Sequence, residues 1–291
     1  MRCACVDIGT NTTRLLVVER TDDGVREVVA VRSFARLTAA SDGEIPAATI
    51  ARVADLVAAH VALAREHGVD SVRAVATAAI RQAPNGRDLC SAVQRAAGVE
   101  VDVLSGEEEA GLAFAGALAT FDEPPAGLIG VVDVGGGSSE LVTGTASDGV
   151  GWFASLAIGS GVLTDRHVRS DPPALDELAA ARADVEAALA AVDPPTPRFL
   201  LAVGGSAPSL ASAAGGVLAP ETIARVLAVL IAEPAADAAK QLGLHTERVK
   251  LLPAGLMVLE AAWEAFGRPP LQVVRGGLRE GVVLRALAEG S

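Results

Sequence analysis

The 291-residue sequence has no Tyr, two Trp and six Phe. Bases in single strands are commonly held by stacking on aromatic rings, so that mode of recognition is not expected. Three Cys, at 3, 5 and 90, are too few and odd in number for a disulfide framework, and they fit a reducing compartment. Cys3 and Cys5 would share one face of a strand as small core residues. The four His, at 60, 67, 167 and 245, lack the spacing of a zinc site. Only Lys240 and Lys250 are lysines among 24 basic residues, which stand against 36 acidic ones for a net charge of −12. No DNA or RNA partner is expected, because a basic face is missing. MRCACVDIG reaches Asp7 before an apolar stretch develops, so no leader is expected. The uncharged stretch 199–220 is broken by Gly204, Gly205 and Pro208, which suits a strand, a turn and a buried helix better than a membrane span. A cytoplasmic protein without a membrane partner is expected.

Hydrophobic residues make up 51% and charged residues 21%, enough apolar surface to fold. The length suits two domains at roughly 150 residues each. Short β-rich runs lie at 3–8, 13–19 and 25–33. A helical stripe of Ile50, Val53, Val57 and Val61 runs through 49–66 and stops at Gly68. A run at 71–76, a helix near 87–97, a run at 99–104 and a helix from Glu107 complete the order βββαβαβα. After Pro124-Pro125 the order restarts with runs at 128–134, 139–144 and 151–157, helices near 160–167 and 174–191, and a run at 199–203. A last run at 271–274 precedes a helix from Leu278. The expectation is an α/β protein with a duplicated unit: domains 1–123 and 124–291, an interdomain cleft, and helix 278–291 able to pack back on the first domain.

The duplication is visible in the residues. VDIGTNTTRL at 6–15 aligns with VDVGGGSSEL at 132–141. In each copy an apolar strand ends at an Asp, Asp7 or Asp133, and enters a turn rich in Gly and hydroxyls. Such a turn exposes backbone N–H groups to an oxyanion, and the Asp could hold a hydrated Mg²⁺ bridging phosphate oxygens. One such hairpin is an ordinary turn more often than a site; two at matching places favour a polyphosphate grip. Gly204-Gly205-Ser206 is a third such turn, equally readable as a plain strand-to-helix connection. In LSGEEEA, Ser105 and Glu108 fit a capping box, which leaves Glu109 without a structural task. On spacing alone Glu109 reads either as a solvated helix start or as a base acting on water. Arg81, at the end of the run ATAAIR, reads as a surface Arg or a phosphate clamp.

These motifs, with SLAIGSGVLTDR at 155–166, AVGGSAPSLA at 202–211, LLPAGLMVLE at 251–260 and GGLREGVVL at 276–284, resemble the Ppx/GppA family of exopolyphosphatases and guanosine pentaphosphate phosphohydrolases. The resemblance implies the actin, hexokinase and heat-shock ATPase fold. It also implies Mg²⁺-dependent hydrolysis (Mn²⁺ possible) of the terminal phosphate of polyphosphate or the 5′ γ-phosphate of pppGpp. It assigns Glu109 as base and Glu140 as a second essential carboxylate. Asp133 becomes a metal-site acid, with Asp7 at the equivalent turn read as a second from the repeat, and Arg81 a phosphate contact. Gly136, Gly137 and Ser138 form the phosphate loop, with Asn11, Thr12 and Gly205 on its walls. Gly111 stands where the family often has Arg, and Ser139 and Ser206 where it usually has Thr. The sequence stops at Ser291, soon after the GGLREG motif, so a short substrate cleaved one phosphate per encounter is expected. The expected partner is an anionic small molecule or polyphosphate, with a homodimer left open. Two rivals remain: a kinase of the same superfold, which would transfer phosphate to an acceptor, and a sensor, which would bind without turnover.

Overall fold

The run Leu15–Val18 is apolar at four successive positions, a pattern that requires cover on both faces of a sheet. A computed structural model describes residues 1–22, 24–37, 43–215 and 218–290 and shows that cover. Residues 216–217 of the stretch 199–220, and Ser291, lie outside the described residues. The chain divides into two compact units, Met1–Leu112 with Leu278–Ser291, and Ala113–Gly277.

The first unit comprises β1 (Arg2–Ile8), β2 (Thr12–Thr21), β3 (Gly24–Phe34), α1 (Ala47–Glu66), β4 (Ser71–Ala76), α2 (Ala78–Gln82), α3 (Gly86–Ala97), β5 (Val101–Val103) and the start of α4 (Gly106–Leu118). The sheet order is β3-β2-β1-β4-β5; β1, β4 and β5 run parallel, and β2 is antiparallel to both its neighbours. Alternate residues Val6, Ile8, Leu15 and Val17 pack with Val53, Val57 and Val61 of α1 and Leu89 and Val93 of α3. Helix α1 has the length and hydropathy of a membrane span, and here its apolar stripe packs on this sheet.

The second unit follows with β6 (Ile129–Val134), β7 (Ser139–Thr145), β8 (Gly149–Leu156), α5 (Ser160–His167), α6 (Leu175–Leu189), β9 (Phe199–Gly204) and α7 (Ser206–Ala214). Then come α8 (Pro220–Ala232), α9 (Ala235–Leu242), α10 (Thr246–Val249), α11 (Leu252–Ala265) and β10 (Leu271–Val273). Its sheet order, β10-β9-β6-β7-β8, repeats that of the first. Val132, Val134 and Leu141 pack with Leu178, Leu210 and Leu256 from α6, α7 and α11. The last helix, α12 (Leu278–Glu289), belongs to the first unit. Its Val282, Val283, Ala286 and Leu287 cover Cys3, Cys5, Leu16 and Val18, so both cysteines are core residues.

Two features depart from the sequence reading. The units part inside α4, at Leu112/Ala113, rather than at Pro124. Leu112 packs in the core of the first unit, and the ring of Phe114 lies against Gly144 in the second. Arg81 does not end a strand: β4 stops at Ala76, and Arg81 is carried on the single turn of α2.

Both hairpins also contain a register shift, at Val17/Val18 in β2 and at Thr143/Gly144 in β7. These are equivalent places in the repeat. Each shift moves the residues beyond it to the opposite face relative to the pairing at the hairpin tip.

Candidate active site

β1, β4 and β5 end on one side of the first sheet, and ligands in open α/β sheets bind beyond such ends. The turn after β1, the segment Thr77–Arg81 after β4 and the segment Ser105–Glu109 after β5 all lie there. In the second sheet β6, β9 and β10 likewise lead into Gly135–Ser138, Gly204–Ser206 and the segment from Val274.

The two hairpin turns have one backbone design. Gly9 N–H donates to Thr12 O, and Gly135 N–H to Ser138 O, both at 3.0 Å. Asp7 is paired across the strands with Arg14, and Asp133 with Glu140. The turn carbonyls are tied back. Thr10 O accepts from Leu37 N (2.7 Å), and Asn11 O from Ala35 N (3.0 Å) and Arg36 N (3.1 Å). Gly135 O accepts from Ser160 N (2.9 Å), and Gly136 O from Gly161 N (2.9 Å) and Val162 N (3.0 Å). The first turn of α5 is thus spent on holding the turn after β6. Gly159 permits this approach, since a Cβ there would lie 2.6 Å from Gly136 O.

Ser138 is buried in the second turn. The Ser139 hydroxyl donates to Ile158 O at 2.7 Å, a structural tie. Glu140 is buried and accepts from the Ser155 hydroxyl at 2.9 Å. Gly204, at φ +90°, leaves room for the Asp133 carboxylate: a Cβ there would come within 2.2 Å of Asp133 Oδ1. Gly205 N–H reaches back to Val134 O at 3.3 Å, and the buried Ser206 hydroxyl has no partner among the described residues.

In the first unit Asn11 and Thr12 are buried, and Thr12 Oγ1 accepts from Arg14 Nε at 3.2 Å. Asp7 Oδ1, Thr10 Oγ1 and Thr13 Oγ1 are buried without a hydrogen-bond partner among the described residues. Burial pushes the Asp7 carboxyl up from its ordinary range, against the pull of Arg14 and Arg279.

The three acids opening α4 are distinguished by burial. Glu107 and Glu108 are exposed, whereas Glu109 is 5% exposed. Glu108 forms the capping box: it accepts from Ser105 N at 2.8 Å, while Ser105 Oγ accepts from Glu108 N at 3.1 Å. Those bonds hold the Glu108 carboxyl below its ordinary range. Arg81 reaches Glu109: one nitrogen, Nη1, donates both to Glu109 Oε1 and to Leu104 O. The structure thus joins the two residues read from the sequence as clamp and base. A side chain at Gly111 would meet open space.

Sequence reasoning missed Arg14, Arg32 and Arg279. Arg14 pairs with Asp7 on one side and Arg32 on the other, and Arg279 opens α12 on the same sheet face. Arg14 was visible inside the repeat, as the residue aligned with Glu140. Arg32 was not, because its face depends on the register shift in β2.

The model of the Ppx/GppA phosphatase family matches residues 17–289. The chain is 32% identical to Exopolyphosphatase 1 of Mycobacterium leprae over 99% of its own length and 90% of that protein. It is 28% identical to the guanosine-5′-triphosphate,3′-diphosphate pyrophosphatase of Aeromonas hydrophila over 96% of its length and 58% of that protein. The crystal structure of the Aquifex aeolicus Ppx/GppA family member superposes with a TM-score of 0.80 at 27% identity, covering 100% of this chain and 99% of that one.

Proposed function

The chain belongs to the Ppx/GppA phosphatase family, whose members hydrolyse phosphoanhydrides. On that premise we propose that it removes the terminal phosphate of inorganic polyphosphate, the 5′ γ-phosphate of pppGpp, or both. The observation that carries the proposal is Glu109: of three adjacent acids it alone is buried, and Arg81 holds it.

The proposed roles are local. Backbone amides of Gly136, Gly137 and Ser138 bind phosphoryl oxygens, in a loop kept open by its carbonyl bonds to α5. Asn11, Thr12 and Gly205 contribute further polar groups. Glu109 takes the proton from the attacking water, and Arg81 Nη1 fixes the direction of its carboxylate. The remaining N–H groups of the Arg81 fork are placed to offset charge growing on the phosphoryl group.

Among the described residues no three His, Cys, Asp or Glu side chains form a metal cage. Mg²⁺ does not need one: it is commonly held by one or two carboxylates with phosphate and water. The cross-strand pair Asp133 and Glu140 fits that requirement, in the space kept free by Gly204. In the first unit, by itself, Asp7 Oδ1 is buried without a hydrogen-bond partner among the described residues, on a carboxylate beside Arg14. Bound there, Mg²⁺ or Mn²⁺ would supply neutralisation of phosphate charge.

The test is phosphate release from short and long polyphosphate, pppGpp, GTP and ATP, with Mg²⁺ and with EDTA. Release from polyphosphate or pppGpp, abolished by EDTA, is expected, and Glu109→Gln should lower kcat at least about 10²-fold. Binding without release would make the chain a sensor. Phosphate appearing on an added hydroxyl acceptor would make it a kinase.

A further inference from the structure

The face that α1 buries on the first sheet is apolar except for His60, which is 4% exposed. Its ring Nε2 lies 3.1 Å from the Ser33 hydroxyl on β3, and its Nδ1 is buried without a hydrogen-bond partner among the described residues. Ser33 is paired with Thr13 of β2, the residue that follows the turn after β1. Just beyond Ser33, the amides of Ala35, Arg36 and Leu37 hold the carbonyls of Thr10 and Asn11. The ring therefore ties β3 to α1 at the point where the chain begins to hold that turn. Because β3 is an edge strand, its end can part from the sheet without unpairing a further neighbour. The second unit has no such tie. Its equivalent row is Val134, Ser139 and Leu156, so a leucine takes the place of Ser33.

The charges around His60 point elsewhere. On α1 the side chains of Arg52, Asp55, Arg65 and Glu66 are exposed, as are Arg87, Asp88 and Arg95 on α3 and Arg36 and Glu44 in the segment between β3 and α1. On this face of the sheet Arg2, Arg26 and Glu19 pair with one another towards the start of β1. Asp7, Arg14, Arg20, Glu27 and Arg32 stand on the opposite face. Cys90 of α3 packs against the same core, and burial pushes its thiol up, so it stays neutral. Burial is thus what pushes the His60 imidazole below its ordinary range. A neutral ring can meet Ser33 with Nε2 and leave only a bare acceptor at Nδ1. A proton adds a charge and a second N–H where no acceptor lies, and such a group is relieved by reaching water.

We infer that His60 and Ser33 form a proton-operated latch: the neutral ring holds the end of β3, and with it the turn that presents Asn11 and Thr12, and the protonated ring lets both go. The device belongs to the first unit by itself and does not depend on the reaction proposed above. The unfolded chain takes this proton more readily than the folded one. Stability held above the ordinary imidazole range, near ~6.5, is therefore lost as pH falls through it towards the lowered value.

Amide hydrogen exchange on the full chain, corrected for its intrinsic pH dependence, tests the latch at about pH 7.5 and about pH 5.5. One proton changes an opening equilibrium by at most about ten-fold per pH unit, so protection of Ala35, Arg36 and Leu37 should fall by up to about ten-fold at the lower pH. Ser160, Gly161 and Val162, which hold the equivalent turn of the second unit, should keep theirs. His60→Gln, which can keep a bond to Ser33 and does not titrate, should remove the pH dependence. An NMR titration of the four histidines in the wild-type chain serves where that variant does not fold. His60 should titrate below the ordinary range, and the amide signals of Ala35, Arg36 and Leu37 should move with it. An equal loss of protection in both units, or the same loss in His60→Gln, would overturn the latch. So would a His60 that titrates in the ordinary range, or one that titrates without a response at 35–37. No substrate enters either measurement, so the latch and the hydrolase reading can each fail while the other stands.

Discussion

The turn after β1 and the turn after β6 close with the same 3.0 Å bond and are tied back by their carbonyls in the same way, yet their charges are opposed. Asp7 faces Arg14, while Asp133 faces Glu140. The first turn is backed by the non-helical segment 35–37 and the second by the start of α5. Ser139 in the second is bonded to Ile158, whereas its counterpart Thr13 keeps a buried hydroxyl without a partner among the described residues. One backbone has thus been given two electrostatic characters. A pair of carboxylates suits a cation; a carboxylate among arginines suits anionic groups with little need of metal.

The sharpest way to break this comparison is to neutralise the two equivalent positions. Glu140→Gln should cut kcat about 10²–10³-fold, the scale of losing one preorganised charged group. Arg14→Gln should mainly raise KM, about ten-fold. Steady-state kinetics at saturating Mg²⁺ would show it, and equal kcat losses would mean that the two turns do the same work.

A smaller effect is expected from the residue that flanks each Asp. Ile8 pairs with Ala76 and Val134 with Gly204, so the first unit tolerates a Cβ where the second does not. Gly204→Ala should destabilise by about 1–3 kcal/mol, from the positive φ and the clash with Asp133. It should also raise the Mg²⁺ concentration needed for half-maximal rate. Denaturant melts together with a metal titration would check both.

The smallest effect is one of sign. Burial raises the Asp7 carboxyl, so the native state binds that proton more readily than the unfolded chain does. Its charged form is a cost above the raised value, and stability is recovered as pH falls towards the ordinary carboxylate range. Asp7→Asn should therefore raise Tm by a few degrees near pH 8 and by nothing near pH 3. Glu177 provides the opposite case in the second unit. Its carboxyl is held down to about 2, first by the Ser170 hydroxyl and then by the Ala174 amide. Glu177→Gln should lower Tm at neutral pH, with the difference fading as pH falls from the ordinary carboxylate range towards 2. Parallel melts across pH would expose either slope as wrong.

Much of the architecture was legible because it is periodic. The doubled VDxG turn located both hairpins, and the alternating and continuous apolar runs located the strands around them. The capping box at Ser105 and Glu108 could be read directly, since it depends on residues three apart. The burial of Glu109 could not. Adjacent glutamates in a first turn have the same local chemistry, and only the packing of α4 decides which one turns inward to Arg81.

By itself, then, the chain determined the repeat, the sheet order it implies and the glycine turns, all of which follow from local backbone preferences and hydrophobic period. The tertiary structure alone decided which charges meet. Counting back from the β2–β3 hairpin, where Thr21 pairs with Gly24, would set Arg14 opposite Val31 and turn Arg32 to the other face. The shift at Val17/Val18 inserts one residue and brings Arg32 opposite Arg14. The equivalent shift at Thr143/Gly144 brings Ser155 opposite Glu140. Because side chains alternate with a period of two, a single extra residue in each hairpin selects which groups line its site.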